Sequence, residues 1–533
     1  MERPLRDFVL GSPISHPVHD ATSLITTSLD CLNASPGAVR SEVPMRTATL
    51  FLLAAATALA GPEFTETRIE VREKVDSSIL ADIDGDGLQD VVIQVGRRVD
   101  AHRLTPAGTF ATPVSVELPK KAFLFDLFPV SGAKASDLVY LTTDGVYALA
   151  WDGKAFVPLE RALVQIPTLF EGESTGSPLR YPFASDVDGD GRQDLVVPQR
   201  QRLLVYLQRA GGTFQFSQRV PVDMQVRLET GGGSIQNQVS STVRVPPYYI
   251  VDFNGDALPD LGVVQADLLL VHLQKQGNTL PSVPSYEAVV GIDRKKPRRR
   301  LLTWEIPPVI EDLNADGLAD AVVTTVSKGT TQVFLGDLAV AAPARIQQIK
   351  VDGWTFRHWV VDVNADGRRD LVLAKVDKLG VSQALQVLIT GKIDATILLF
   401  LQGPDGKYPD IVDYELPLSV PFVVAFSGNS VQVESPVMVD PRGDYDKDGR
   451  ADLLVKTEND ELTLYLSGGG AIFDEGHSVT VRTMDTEEFS FSVFENFEPL
   501  HLVDLNGDGK TDIVLHHKTF EGTYHVLEVL LSR

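Results

Sequence analysis

Seven times along the chain the same nine-residue pattern returns. It reads DIDGDGLQD at 82, DVDGDGRQD at 186, DFNGDALPD at 252, DLNADGLAD at 312, DVNADGRRD at 362, DYDKDGRAD at 444 and DLNGDGKTD at 504. Asp holds positions 1, 5 and 9 of every copy, and position 3 is Asp or Asn. A short β-branched or Leu-rich run follows each one (VVI, LVV, LGV, AVV, LVL, LLV, IVL). A second mark travels with the first: Phe110, Phe214, Leu280 and Phe473 close a G-x-F-like turn 20 or 21 residues after Asp90, Asp194, Asp260 and Asp452. After Asp370 the aromatic, Tyr408, arrives only at 38 residues, which predicts an insertion within 378–394.

The same offset uncovers a hidden copy. Between Phe125 and Phe156 the strand pattern and closing aromatic persist, with Asp137 lying 19 residues before Phe156, but the acidic ladder is gone. Eight units therefore begin near 82, 126, 186, 252, 312, 362, 444 and 504. A chain of 533 residues would ordinarily suggest several domains, but periods near 60 with several short apolar strands per unit predict an all-β fold, a β-propeller. The expected order in each four-stranded blade is strand, acidic hairpin loop, strand, turn, strand, G-x-F turn, strand. The last unit ends at Arg533 with room for three strands, so TETRIEVRE (65–73) is expected to close the ring by completing that blade. Eight blades is the direct count, and seven follows if the ladder-free unit is incomplete.

The D-x-[DN]-x-D-G-x-x-D loop between two strands resembles the FG-GAP/VCBS repeat of integrin α-subunit propellers and many exported bacterial proteins. The resemblance covers roughly 65–533 and implies one Ca²⁺ in the hairpin loop of each intact blade. Unit two departs from the pattern and is expected to hold no ion. Unit four has Ala257 where the turn glycine belongs, and a left-handed alanine there costs about 1 kcal/mol, so its loop is expected to be the weakest.

The loop chemistry points to the same ion. Ca²⁺ takes roughly six to eight oxygens, and alternate loop positions can turn their side chains toward one centre. In the first loop Asp82, Asp84, Asp86 and Asp90 would supply carboxylates and Leu88 a backbone carbonyl. The same positions are Asp186, Asp188, Asp190, Arg192 and Asp194 in unit three, and Asp252, Asn254, Asp256, Leu258 and Asp260 in unit four. Unit five offers Asp312, Asn314, Asp316, Leu318 and Asp320, and unit six Asp362, Asn364, Asp366, Arg368 and Asp370. Asp444, Asp446, Asp448, Arg450 and Asp452 follow in unit seven, then Asp504, Asn506, Asp508, Lys510 and Asp512 in unit eight. Zn²⁺ would want His or Cys, and Mg²⁺ fewer protein ligands and more water. An EF-hand needs flanking helices and a twelfth-position Glu, which these loops lack.

This inventory also accounts for the charge. The chain carries 48 basic against 72 acidic side chains, a formal −24, and the seven loops alone hold 24 Asp. Seven divalent cations would offset 14 of those charges. The balance argues against a general nucleic-acid binder, which gains affinity by neutralising phosphates.

Upstream of the repeats, MRTATLFLLAAATALA (45–60) reads as a signal peptide: Arg46, an apolar run too short to span a bilayer, and Ala58-Leu59-Ala60 as cleavage site. Met45 is then the expected start and residues 1–44 a gene-model extension, which contains the single cysteine, Cys31. The mature chain would be exported, periplasmic, secreted or at the cell surface, without a disulfide to stabilise it.

Other candidates are thinner. GESTG (172–176) fits a nucleophile pattern, but SPLRYP follows where a helix is needed, so Ser174 reads as a loop serine. His516 and His517 are adjacent on a strand and point to opposite faces. The one basic run, DRKKPRRR (293–300), reads as a solvated loop. Trp304 and Trp354 each lie eight residues before the first Asp of their loops, with Arg300 and Arg357 nearby. These four define a possible ligand rim, set against ordinary blade packing, the reading that also covers Trp359. Seven near-identical ions are more than one reaction needs. The functional expectation is therefore a Ca²⁺-stabilised scaffold for a protein or glycan ligand, and the alternative is a polysaccharide lyase, which needs a base and a charge-neutralising Arg or Ca²⁺ in one cleft.

Overall fold

The run after each acidic loop is apolar without alternation, and the fold shows why. Asp90–Val95, the second strand of its sheet, has Val91, Val92 and Ile93 fully buried, because neighbouring sheets cover both of its faces. Fourth strands instead alternate, as in Val114–Glu117 and Ser478–Arg482, since one side meets solvent. The computed structural model describes residues 62–533 except 131–133, 173, 175, 231–238, 266–267, 278, 291–305, 326–328, 337, 340–345, 379, 428–429, 436–437, 469–471, 474–476, 485–499 and 519–523. The segment 45–60 read as a signal peptide, residues 1–44, the basic run 293–300, Arg300 and Trp304 lie outside the described residues.

Eight blades of four antiparallel strands form a propeller, and in blade two the short strand Leu179–Arg180 adds a fifth, parallel to the first. Blade one comprises Ser77–Ala81, Asp90–Val95, Arg98–His102 and Val114–Glu117, and blade two Leu124–Phe128, Asp137–Leu141, Gly145–Leu149 and Arg161–Gln165. Blades three to seven repeat the order, with second strands at Asp194–Gln199, Asp260–Gln265, Asp320–Thr325, Asp370–Val376 and Asp452–Glu458. Blade eight is Leu500–Val503, Asp512–Lys518 and His525–Ser532, completed by Phe64–Val71, which pairs antiparallel with His525–Ser532 from Phe64 opposite Ser532 to Val71 opposite His525. The ladder-free unit is thus a full blade, and the count is eight. Apolar side chains of adjacent blades interdigitate around the ring; one such layer joins Val139 and Val146 of blade two to Val196 and Val205 of blade three.

Strand alternation divides the connections between two faces. The acidic loops and G-x-F turns lie on one face. The turns between second and third strands and the links between blades lie on the other, which we call the insertion face. It carries the helix Val381–Thr390, within the window predicted for an insertion. It also carries two extra hairpins, Gln225–Thr230 with Val239–Arg244 and Val423–Ser427 with Ser430–Ser435. No helix among the described residues is long and apolar enough to cross a membrane.

Candidate metal centres

Each acidic loop joins the first and second strands of its blade, and the ninth-position Asp opens the second strand in every case. The second position is apolar throughout. Ile83, Val187, Phe253, Leu313, Val363, Tyr445 and Leu505 are all buried and anchor the loops in the core. That regularity is plain in the nine-residue pattern once burial is known.

Asp side chains organise the backbone between those anchors. The first Asp accepts the N–H of position 6 on Oδ2 in all seven loops, from 2.7 Å at Ala257 to 3.0 Å at Gly87. The fifth-position Asp accepts the N–H of position 7, as from Leu88 at 2.9 Å and Lys510 at 2.8 Å. Where position 3 is Asn, its Nδ2 donates to the fifth-position carboxylate, at 3.0 Å for Asn254 and Asn364 and 3.1 Å for Asn314 and Asn506. Positions 4 and 6 are both left-handed. Besides Ala257 (φ 63°), the non-glycine residues Ala315 (56°), Ala365 (59°) and Lys447 (63°) adopt this conformation. The strain expected only at Ala257 is therefore shared by loops five, six and seven.

The ninth Asp does something different. Asp90 Oδ2 accepts the Ile83 N–H at 3.0 Å and Oδ1 the Leu104 N–H at 2.8 Å, tying the loop to the end of the third strand. The same pair of bonds recurs at Asp194, Asp260, Asp320, Asp370, Asp452 and Asp512. Asp137 reproduces it in blade two, with the N–H groups of Val130 and of Trp151 (3.1 Å). The staple is present in all eight blades. Burial pushes the pKa of Asp90, Asp194, Asp320 and Asp452 up to about 7, and of Asp260 and Asp370 up to about 6. Burial likewise raises Asp512 and Asp137. The charge of neighbouring loop carboxylates adds to the effect in the seven loops, as Asp84 and Asp86 do for Asp90, against the pull of the backbone bonds.

Carboxylates converge within 4.8 Å of one another in three loops: Asp82, Asp84 and Asp86; Asp186, Asp188 and Asp194; Asp444, Asp446 and Asp452. Asp84 Oδ1 is shielded from solvent and has no hydrogen-bond partner, while Oδ2 meets Arg103 Nη1 at 3.0 Å. A buried carboxylate oxygen without a donor is costly. Three oxygens at this spacing and one lacking a partner fit a hard divalent cation.

Loops also join one another. The eighth-position N–H of one blade donates to the preceding loop: Gln89 to Leu505, Ala319 to Asp252, Ala451 to Asp362 and Thr511 to Asp444. Ser136 of blade two donates likewise to Ile83. Blade four has Pro259 at this position, which has no N–H.

Ser174 and the paired histidines make contacts within the fold. Arg97 Nη2 donates to Ser174 Oγ at 2.9 Å, and the chain runs from GESTG into the short strand Leu179–Arg180. His516 Nε2 lies 2.8 Å from His525 Nδ1, whereas His517 Nε2 lies 2.9 Å from Glu528 Oε2, so the two imidazoles meet different partners. Trp354 is half-buried at the start of its strand and Arg357 is exposed, its guanidinium 5.3 Å from the ring of the buried Trp359.

Residues 186–263 and 444–515 match the FG-GAP-like repeat. A search of curated proteins returns no match. Among solved structures, the chain is similar to an Agrocybe aegerita lectin described as recognising non-reducing terminal N-acetylglucosamine, at 18% identity and TM-score 0.40 over 65% of this chain and 80% of that one. It is also similar to BBS1N crystallised in complex with ARL6DN, at 8% identity and TM-score 0.38 over 88% of this chain and 96% of that one.

Proposed function

Starting from an eight-bladed β-propeller built of FG-GAP-like repeats, we propose that the chain is an exported, Ca²⁺-stabilised scaffold that binds a glycan or protein ligand through its insertion face. The division of labour between the two faces carries this reading. One face is given over to seven loops of near-identical sequence, several bonded to their neighbours through the backbone. The other carries a helix and two hairpins that no propeller needs for closure. Recognition resides where repeats differ, on connections held by a rigid frame.

Calcium would belong to the frame. Positions 1, 3, 5 and 9 would supply side-chain oxygens and position 7 a carbonyl, as expected for a hard cation. An ion that binds the folded chain better than the unfolded one adds its binding free energy to folding. The segment 45–60 would direct export and leave a mature chain without cysteine.

A glycan array, followed by assay of any bound polymer for turnover, tests the scaffold role. Binding without turnover is expected, and binding that disappears when residues 423–435 are replaced by a short turn would locate it on the insertion face. Turnover of a bound polysaccharide would sink the scaffold reading in favour of an enzyme.

A further inference from the structure

Ring closure falls at the joint between blades eight and one, where the first and last strands of the repeat array meet. The closing strand Phe64–Val71 lies against His525–Ser532 and leads through residues 72–76 into blade one. Cross-strand pairing sorts the side chains of this joint. Val514, His516, His525, Leu527 and Val529 share the face of blade eight that meets Val91 and Ile93 of blade one. The two histidines are buried there, 5% and 2% exposed, with His516 Nε2 2.8 Å from His525 Nδ1. The other ring nitrogen of His525, Nε2, accepts the Val75 N–H at 3.3 Å.

Those two bonds fix the protons of the pair. Val75 supplies a hydrogen to His525 Nε2, so the His525 proton sits on Nδ1 and is donated to His516 Nε2. Both rings are therefore neutral. An added proton breaks this chain wherever it is placed. On His525 it sets two hydrogens against each other at Val75, on His516 it does so between the rings, and passing it along only moves the conflict. The carboxylates on this side are already engaged. Arg98, Asp100 and His102 of blade one share a face with Val95, Ile93 and Val91, their register partners. Arg98 holds both oxygens of Asp100 and both of Glu73, while Asp76 accepts the Gly96 N–H at 2.7 Å. Arg72 and Lys74 of the link are exposed. Blade eight adds His501, whose Nε2 lies 3.3 Å from Ser78 Oγ, and Lys518, opposite His525 in the register. The closing strand lines the joint with Ile69 and Val71, and its Arg68 reaches Glu528 on the opposite face.

We propose that the His516–His525 pair is an acid-sensitive latch on ring closure, holding residues 72–76 to blade eight only while both imidazoles are neutral. An imidazole in water takes up its proton near about pH 6.5. The latch is therefore closed above that value. Acidification favours the state in which Val75 has left His525 and the rings are charged. Val75 lies four residues beyond Val71, whose register partner is His525 itself. Release at Val75 thus loosens the closing strand at the end where it enters blade one. The latch stands independently of the ligand surface proposed above.

Hydrogen–deuterium exchange of the full chain in Ca²⁺, read by mass spectrometry, tests the latch without unfolding the protein. After correction for the intrinsic pH dependence of amide exchange, residues 64–76 should exchange about tenfold faster at about pH 5.5 than at about pH 7.5. That ratio is the one expected when opening admits one proton to a group that charges near about 6.5. Asp137–Leu141, at the centre of blade two, should change far less. His525→Gln supplies Val75 with a neutral acceptor and should erase the acid response, whereas His501→Gln, at the same joint, should keep it. An unchanged rate at 64–76 in the wild type overturns the proposal whether or not the variants fold. An acid response that survives His525→Gln, or one that His501→Gln removes, overturns it equally.

Discussion

Blades one and two are neighbours with the same four strands and unlike loops. In blade one Asp82, Asp84 and Asp86 gather within 4.8 Å. In blade two the corresponding stretch, PVSGAKAS (129–136), has no carboxylate at all. Yet Asp137 grips Val130 and Trp151 as Asp90 grips Ile83 and Leu104. The five alternating positions therefore serve two purposes. The ninth holds the hairpin to the third strand whether or not an ion shares its carboxylate, and blade two closes without carboxylates at the first, third and fifth.

Chelation should open the widest gap between such blades. EDTA is expected to lower Tm by on the order of 10 °C or more, with Ca²⁺ restoring it better than Mg²⁺, since several sites lose binding free energy together. A melt unmoved by EDTA in differential scanning calorimetry would remove the ion from the account.

Next in size comes Asp137→Ala. It leaves two buried N–H groups without an acceptor, a loss of about 4 kcal/mol on the usual ~1–3 kcal/mol per buried group. Denaturant titration should show the same loss with Ca²⁺ and with EDTA. Asp86→Ala should behave oppositely, costing ~1–3 kcal/mol in Ca²⁺ and little in EDTA, because Asp86 is exposed and its main duty would be to the ion. If Asp137→Ala proves Ca²⁺-dependent, the division between staple and ladder is wrong.

That division was only half legible in the sequence. The ring, the insertion between Asp370 and Tyr408 and the closing strand before residue 72 all follow from spacing, because a repeat fold translates period directly into blades. Asp137 was placed by its offset from Phe156, but its two backbone bonds were not legible once its neighbours had lost their carboxylates. Nor were the left-handed turns at Ala315, Ala365 and Lys447, where the residue types say nothing of the backbone conformation the loop imposes. The loop-to-loop bonds run through backbone groups, which any sequence except Pro supplies, so Pro259 was the sole clue.

A third measurement asks whether a joint between blades can titrate independently of the loops. His358 of blade six is fully enclosed, Nδ1 lying 2.8 Å from Thr324 Oγ1 of blade five, and burial pushes its pKa down to about 4. Between the ordinary value near 6.5 and about 4 the unfolded chain takes up a proton that the folded chain refuses. This contribution is therefore intact above pH 6.5 and lost as pH falls toward 4, by up to ~3 kcal/mol. His358→Gln should flatten the fall relative to wild type in urea titrations across that window, equally with and without Ca²⁺. A pH profile identical to wild type would show that the imidazole is not held neutral at the joint.

The smallest effect discriminates most finely among the loops themselves. Ala257 occupies position 6 and Ala315 position 4, and both are left-handed, at φ 63° and 56°. Relief of that conformation by glycine is worth about 1 kcal/mol, less the entropy glycine adds to the unfolded chain. Ala257→Gly and Ala315→Gly should therefore each raise stability by up to ~1 kcal/mol in EDTA and by similar amounts. In Ca²⁺ each should also tighten its own loop, because strain no longer opposes the geometry that gathers the carboxylates. Isothermal titration at limiting Ca²⁺ reads this as a steeper first phase. If Ala257→Gly alone has an effect, position 6 controls the loop and position 4 is tolerant. That outcome would restore blade four as the one weak link in the ring.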